Sequence, residues 1–310
     1  MAEKKRKKKR KLRTWVKVVL VLLCACMIWA IARPFLQKEE HATLQNETVT
    51  KEYVTDTDVT IMIDAGHGGM DGGATSLSDK SEKDYTLEYA KQIGTDIQKL
   101  NPNIKVAYTR ESDEVPWENV YSANYELDDL NGRTRVLNVA NPDYILSVHF
   151  NSREDASEYG YESYVRGSDS ASDTIYTYIA KNLEAIPWSK NNGCWSTEGY
   201  PLQIVDLVQS PSMLLELGYL TNKNDVDALD NESTKDKICM AIAKAYCQYI
   251  KDNPGASQRQ DLTEIKNIPE EILPDDLKEP YKQKQAEREA QEQAQKNEQA
   301  AQAAQSAPAQ

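Results

Sequence analysis

Two histidines follow short apolar runs of the sequence, and their placement favours a metal site. His67 comes after the run at 61–63, inside a glycine-rich turn, and His149 ends the run YILSVH that begins at Tyr144. Such runs are typical of strands buried on both faces of a parallel sheet, and ligands bind where these strands end. Either histidine alone would more often be a hydrogen-bonded residue at a sheet edge. Two at equivalent strand ends indicate zinc, because neutral imidazole is a common zinc ligand.

A catalytic zinc site uses about three protein ligands and a water, so a third ligand is needed. Glu82 is the leading candidate, because it follows the glycine-rich turn at the first position of a predicted helix that Ser81 can cap. Its carboxylate would point back toward the strand ends, although the helix dipole alone also favours an acid at this position. Asp64 and Asp71 lie closer to His67 in the sequence and compete for the same role. A second interpretation of Asp64 is that it holds the imidazole of His67 in place.

Glu216 is a carboxylate inside the apolar segment MLLEL at 213–217. A charge in a buried strand is costly unless it is paired or functional. A glutamate beside a zinc-activated water can take a proton from that water and pass it to a leaving amine. A functional role for Glu216, such as this proton transfer, is therefore favoured over a purely structural one.

Strand and helix patterns alternate over the part of the chain that could form a folded domain, residues 59–252. Apolar residues recur at helical spacing from Leu87 to Leu100. Strand patterns cover 61–63, 104–108, 144–149 and 213–217, and further helical patterns cover 133–141, 175–183 and 238–250. This alternation predicts an α/β fold with a mostly parallel central sheet flanked by helices.

Six segments, in order, resemble motifs of the zinc-dependent N-acetylmuramoyl-L-alanine amidases of the amidase-3 family, which are bacterial cell-wall hydrolases. The resemblance covers about residues 59–252. It is carried by IMIDAGHGGMDGGA from Ile61, SEKDYTLEYA from Ser81, Thr109-Arg110 with Asp113, RTRVLNVANPDYILSVHFN from Arg133, GYESY from Gly160 and PSMLLELGYLTN from Pro211. Several ordered motifs at compatible spacing make a chance match very rare.

The resemblance implies roles for particular residues and a cofactor, Zn²⁺. The family's metal ligands fall on His67, Glu82 and His149, and its catalytic glutamate falls on Glu216. The implied reaction is hydrolysis of the amide between N-acetylmuramic acid and the L-alanine of a peptidoglycan stem peptide. Phe150 departs from the family, which usually has alanine there, and this ring is expected to narrow the floor of the site.

Two arginines in the matching segments are candidates for substrate binding. Arg110 and Arg133 could each pair with a carboxylate of the stem peptide, since guanidinium groups bind carboxylates through two parallel hydrogen bonds. The alternative for each arginine is an ion pair on the protein surface.

Two other classes of function stay open. A zinc exopeptidase would use the same ligands and the same glutamate, but it would release free amino acids instead of breaking the bond to the lactyl group. A non-catalytic protein that binds the cell wall would work through the segments outside the domain, and its metal content would separate it from an enzyme.

The N-terminal part of the chain predicts a membrane anchor. Residues 1–14 are basic. Residues 18–32 are apolar without interruption, and with Trp15 and Lys17 at the membrane interface the segment 15–32 is just long enough to cross a bilayer. Positive charge on the amino side predicts a single-pass protein of the cytoplasmic membrane, with its catalytic domain on the extracellular side. A cleaved signal peptide is the alternative, because the small residues Ala30 and Ala32 fit a cleavage site. Binding of nucleic acid is disfavoured, because the basic segment adjoins the apolar run.

The remaining segments are predicted to lack a core of their own. Residues 33–58 are expected to be a linker, 59–252 the amidase domain, and 253–310 an acidic tail rich in Gln and Ala that is disordered. The formal net charge of −12 argues against binding of anionic wall polymers by charge. Three cysteines beyond the apolar run suggest neither a disulfide framework nor a thiolate metal site. The sequence leaves open a protein regulator and does not identify one.

Overall fold

The computed structural model describes residues 52–56, 58–117, 123–188, 190–255 and 257–306. The predicted basic segment 1–14 and the predicted anchor 15–32 lie outside these residues. Among the helices that the structure does describe, none has the length and apolar character needed to cross a membrane.

The described chain alternates between strands and helices, as its apolar patterns predict. The strands are β1 (Thr60–Ala65), β2 (Lys105–Tyr108), β3 (Tyr144–Asn151), β4 (Tyr161–Val165), β5 (Asn191–Ser196) and β6 (Ser212–Tyr219). The helices are α1 (Glu82–Leu100), α2 (Tyr125–Ala140), α3 (Ser170–Leu183), α4 (Gln203–Asp206), α5 (Lys223–Leu229), α6 (Glu232–Asp252) and α7 (Asp275–Ser306). Two short 3₁₀ helices, Leu262–Glu264 and Glu270–Ile272, precede α7.

The strands form one six-stranded sheet in the order β2-β1-β3-β6-β4-β5. All neighbouring pairs are parallel except β4 and β6, which are antiparallel. The prediction of an α/β fold with a mostly parallel sheet is confirmed. Strands β1, β3 and β6 therefore end at the same edge of the sheet, and this edge carries the candidate site.

Helices cover both faces of the sheet because side chains alternate between the faces along each strand. Met62 of β1 and Ile145 of β3 pack with Leu137 of α2 and with Ile204 of α4. Helix α1 contacts β1 and β3 and also packs against α6, which contacts α3 in turn. The helices thus pack against β1 and β3, the strands at whose ends the candidate site lies.

Strand β5 was not predicted, because its sequence NNGCWS contains Asn and Gly, which are depleted in strands. It extends the sheet by pairing parallel to β4, with Ser163 opposite Cys194. Pairing with β4 therefore outweighs the weak strand propensity of this segment.

The expectation of a disordered tail is wrong for the tail residues that the structure describes. Residues Leu262, Ile268, Ile272, Leu273 and Tyr281 are buried together in a small apolar cluster. Arg135 of α2 donates to the carbonyl oxygen of Leu273 at 2.7 Å. Burying one such aliphatic side chain contributes about 1.5–3 kcal/mol, so a few scattered apolar residues are enough to dock the segment.

Candidate metal centre and catalytic carboxylate

Three of the residues singled out in the sequence converge at the edge where β1 and β3 end. Ligand atoms of His67, Glu82 and His149 all lie within 4.8 Å of one another. Oε1 of Glu82 is 3.2 Å from Nε2 of His67 and 3.1 Å from Nδ1 of His149. The two imidazole rings are 4.9 Å apart between centroids and cross at 74°. The sheet thus supplies two imidazoles, and the first residue of α1 supplies the carboxylate between them.

The turn after β1 has a backbone that most residues avoid. His67 has a φ of 61°, in the left-handed region that is uncommon for residues other than glycine. At Gly66, an added Cβ would lie 2.3 Å from Cε1 of His149, and at Gly73 it would lie 2.7 Å from Oε2 of Glu82. The glycines are therefore required for space, and the unusual φ of His67 fits a functional site.

Asp71 holds the imidazole of His67. Its Oδ2 is 2.7 Å from Nδ1 of His67, and its Oδ1 accepts a hydrogen bond from the backbone N–H of Gly73 at 3.1 Å. Nδ1–H of His67 donates to this carboxylate, which leaves Nε2 facing the other two ligands. A carboxylate in this position fixes both the tautomer and the ring orientation of a metal-binding histidine.

Asp64 does not have the predicted role of holding His67. It is fully buried beneath the site, where it accepts hydrogen bonds from Thr109 at 2.8 Å, Ser147 at 2.7 Å and Arg133 at 3.0 Å. The strand geometry places Asp64 opposite Ser147 in β3. Its side chain therefore ties strands together instead of reaching the turn.

Backbone donors hold the carboxylate of Glu82. Oε2 accepts from the N–H of Ala74 at 3.0 Å and Oε1 from the N–H of Phe150 at 3.1 Å. Ser81 is the N-cap residue of α1, as predicted, but its side chain makes no capping hydrogen bond. The ring of Phe150 packs against Tyr89 at 5.1 Å between centroids and is buried, so it does not narrow the site as expected.

The electrostatics of the cluster favour a positive charge among these ligands. Burial opposes the protonation of His67, but hydrogen bonds to Asp71 and Glu82 raise its pKa to about 9. Burial also opposes the ionisation of Glu82, yet hydrogen bonds to both histidines keep its pKa below the usual value. Burial lowers the pKa of His149 despite its contact with Glu82. A metal ion that binds here must displace the proton of His67, because only neutral imidazole is a ligand.

Glu216 lies beside this cluster. Its Cα is the cross-strand partner of His149 in β3 and of Glu162 in β4. Among the residues that the structure describes, Oε2 of Glu216 is a buried oxygen with no hydrogen-bond partner. Burial, with the negative charges of Glu82 and Glu162, raises the pKa of Glu216 to about 8. A carboxyl group with this pKa can accept and release a proton near neutral pH.

The two arginines predicted to bind substrate are structural instead. Arg110 is 3% exposed and donates to the carbonyl oxygens of Gly66 at 3.1 Å and Lys83 at 2.7 Å. Arg133 is 4% exposed, and its ion pairs reach Asp64 at 3.0 Å and a second buried carboxylate on α2 at 2.9 Å. The sequence showed their charge but not their burial. They brace the turn and the strand that carry the site.

Sequence reasoning missed the role of Glu162, although the segment GYESY that contains it was noted. Its Oε1 accepts hydrogen bonds from Asn151 at 2.7 Å, Tyr164 at 3.1 Å and Tyr219 at 3.4 Å. The available signal was a charged residue inside the strand-like segment GYESY. These three hydrogen bonds fix the carboxylate of Glu162 on the strand next to that of Glu216.

Comparisons with known proteins identify the family of this chain. A model of the Amidase_3 family, described as N-acetylmuramoyl-L-alanine amidase, matches residues 61–248. The germination-specific N-acetylmuramoyl-L-alanine amidase of Bacillus subtilis (strain 168) is 25% identical over 190 residues, or 61% of this chain and 79% of that protein. The probable cell wall amidase LytH of Staphylococcus saprophyticus is 27% identical over 207 residues, or 63% of this chain and 60% of that protein.

A solved structure supports the same relationship. The CwlD amidase of Clostridioides difficile, in complex with the GerS lipoprotein, is 25% identical with a TM-score of 0.56, over 63% of this chain and 100% of that chain. The family match over residues 61–248 includes the positions of His67, Glu82, His149 and Glu216.

Proposed function

Because the chain belongs to the Amidase_3 family of N-acetylmuramoyl-L-alanine amidases, we propose that it is a zinc-dependent amidase of peptidoglycan. The bond it cleaves joins the lactyl group of N-acetylmuramic acid to the L-alanine of a stem peptide. The assignment of the metal depends on one observation. The ligand atoms of His67, Glu82 and His149 converge to within 4.8 Å, beside the unpartnered Oε2 of Glu216.

The residues present fit a catalytic zinc ion. Two imidazoles and a carboxylate form a donor set that such sites use, with one position left for water. The absence of side chains at Gly66 and Gly73 keeps the space around these donors clear. A buried acceptor without a partner, such as Oε2 of Glu216, is rare in folded proteins and is satisfied when a water or a substrate amide occupies the site.

The protein side of the mechanism follows from the contacts. When bound, zinc would polarise the substrate carbonyl and lower the pKa of the attacking water. Asp71 keeps Nε2 of His67 directed at the site. Glu216 takes a proton from the attacking water. Glu216 then gives this proton to the L-alanine nitrogen as the C–N bond breaks, which produces a free amino terminus on the peptide.

The segments before the domain support a location at the membrane. The apolar run 15–32 would anchor the enzyme on the outer face of the cytoplasmic membrane, and residues 33–58 would connect the anchor to the catalytic domain. Protease added to intact spheroplasts should then degrade the domain while it spares a short N-terminal fragment. Protection of the whole chain would contradict this location.

A digest of purified peptidoglycan tests the proposed reaction. The full chain should release stem peptides with free L-alanine amino termini, identified by mass spectrometry, and a chelator should stop the release until zinc is restored. Release of single amino acids would favour the exopeptidase. Metal-free protein that binds peptidoglycan without cleaving it would favour the wall-binding protein.

A further inference from the structure

A groove extends from Glu216 over β4 and the end of β5. It is a cavity of about 630 Å³ whose lining includes Glu162, Arg153, Trp195 and Tyr200. Strand β5 and the turn after it form the outer wall. The groove is thus continuous with the site through Glu216. Its outer wall lies in a segment that none of the six family motifs covers.

The position of Glu216 indicates which part of a substrate this groove receives. This step rests on the proposed function, in which Glu216 protonates the leaving nitrogen of L-alanine. The carbonyl carbon must then lie toward His67, Glu82 and His149, and the nitrogen toward Glu216. The chain that continues from that nitrogen is the stem peptide, so the peptide runs into the groove beyond Glu216.

Arg153 is the one cation among the described residues that line the groove. Its side chain is exposed, and its positive charge lies near enough to Tyr219 and Glu216 to act to lower the pKa of both groups. The backbone N–H of Arg153 donates to Oγ1 of Thr221 at 3.2 Å. The positive charge of Arg153 therefore lies at the groove, on the same lining as the carboxyl group of Glu216.

The lining of the groove also includes two solvent-exposed aromatic rings. Trp195 is 52% exposed and Tyr200 is 88% exposed. The turn that carries Tyr200 is fixed at both ends by Asp206, which accepts from Oγ1 of Thr197 at 2.8 Å and from the N–H of Leu202 at 2.6 Å. Large exposed apolar groups on a rigid support are typical of a binding surface.

We propose that this groove is the stem-peptide subsite and that Arg153 binds the free α-carboxylate of the residue that follows L-alanine. Each residue of an extended peptide spans about 3.3–3.6 Å, so a carboxylate that reaches Arg153 belongs to one of the first residues after the scissile bond. The second residue of stem peptides is a glutamate linked through its side chain, whose α-carboxyl group is either free or amidated. Only the free form offers a bidentate partner to the guanidinium, which makes Arg153 a specificity-determining residue.

Two matched muropeptides, identical except for a free or an amidated α-carboxyl on the second residue, test the inference with the full-length chain. The wild type should show the lower KM for the free carboxylate. Arg153→Gln should raise KM for that substrate by about tenfold or more, the usual effect of losing a charge-assisted hydrogen bond, and should leave KM for the amide unchanged. Arg153→Lys should recover part of the difference. Lys223→Gln, which removes an exposed charge paired with Asp227 on α5, is the matched control.

The outcomes separate this inference from the function it rests on. If the wild type cleaves both substrates with one KM, or if Arg153→Gln changes both KM values alike, the assignment of Arg153 is overturned while the amidase stands. If the wild type cleaves neither substrate, the proposed function is overturned, and the subsite falls with it.

Discussion

His149 and Glu216 are direct partners in the parallel pairing of β3 with β6. Side chains at one register position of neighbouring strands point to the same face, so the backbone ladder sets the spacing between a candidate ligand and the candidate proton carrier. The regular register ends immediately after this pair, between His149 and Asn151. A slip of one residue would turn Glu216 to the opposite face, which makes sheet register the physical basis of the site.

The space at Gly66 can be tested with a matched substitution in the same turn. Gly66→Ala should abolish zinc binding, because the new Cβ would lie 2.3 Å from Cε1 of His149 and force that ring away. Gly72→Ala is the control, since the nearest atom to its Cβ is Oγ of Ser81 at 4.0 Å. Zinc content of purified protein, with circular dichroism to check the fold, distinguishes the two. Normal zinc content in Gly66→Ala would show that His149 is not a ligand.

The contact between Asp71 and His67 predicts that replacing Asp71 weakens zinc binding without abolishing it. Asp71→Asn removes the charge that fixes the ring, and zinc should bind about 10–100-fold more weakly, as for other supporting carboxylates of metal sites. Asp79→Asn, an exposed change in the same loop, should bind zinc like the wild type. Competition with a fluorescent zinc chelator measures both. Equal affinities in the two variants would argue against the role of Asp71.

The docked tail predicts a stability cost. Ile272 is fully buried in the apolar cluster of the tail, so Ile272→Ala should lower the free energy of unfolding by about 2–5 kcal/mol. Gln293→Ala changes an exposed position on α7 and should stay within about 0.5 kcal/mol of the wild type. Urea denaturation followed by tryptophan fluorescence provides the comparison. No loss in Ile272→Ala would mean that the tail is not packed on the domain.

The raised pKa values of His67 and Glu216 predict how the stability of the metal-free protein depends on pH. Folding raises the pKa of His67 from 6.5 to about 9 and that of Glu216 from 4.5 to about 8. The folded state therefore binds more protons, and the free energy of unfolding should fall as pH rises from 6.5 to 9, by up to about 1.4 kcal/mol per pH unit for each proton. Denaturation in the presence of a chelator at several pH values measures the slope. A flat or rising profile would contradict this account of the cluster.

The sequence allowed the fold and the meeting of His67, Glu82 and His149 to be predicted, because each depends on local patterns. Apolar runs located β1 and β3, and the end of the glycine-rich turn located the first residue of α1. The choice between Asp64 and Asp71 could not be predicted. It depends on the left-handed backbone at His67, which turns the ring toward Asp71 and away from the strand.

Burial and long-range packing account for the other differences. Arg110 and Arg133 read as exposed charges in the sequence, and only the folded chain shows the carbonyls and carboxylates that enclose them. The apolar residues of the tail have no helical or strand period, so only their contact with α2 reveals the cluster. Strand β5 contains Asn and Gly, which disfavour strands, and it is a strand because its backbone pairs with the edge of β4.

The central claim is that zinc and Glu216 act together on one amide, and a zinc titration tests it most directly. Metal-free full-length protein should regain the release of stem peptides in proportion to added zinc, up to one equivalent. Glu216→Gln should bind the same single equivalent while its rate stays about 10²–10⁴-fold lower, the usual contribution of an acid–base group, and Glu184→Gln should behave like the wild type. Full activity without zinc, or full activity of Glu216→Gln with zinc bound, would contradict the account.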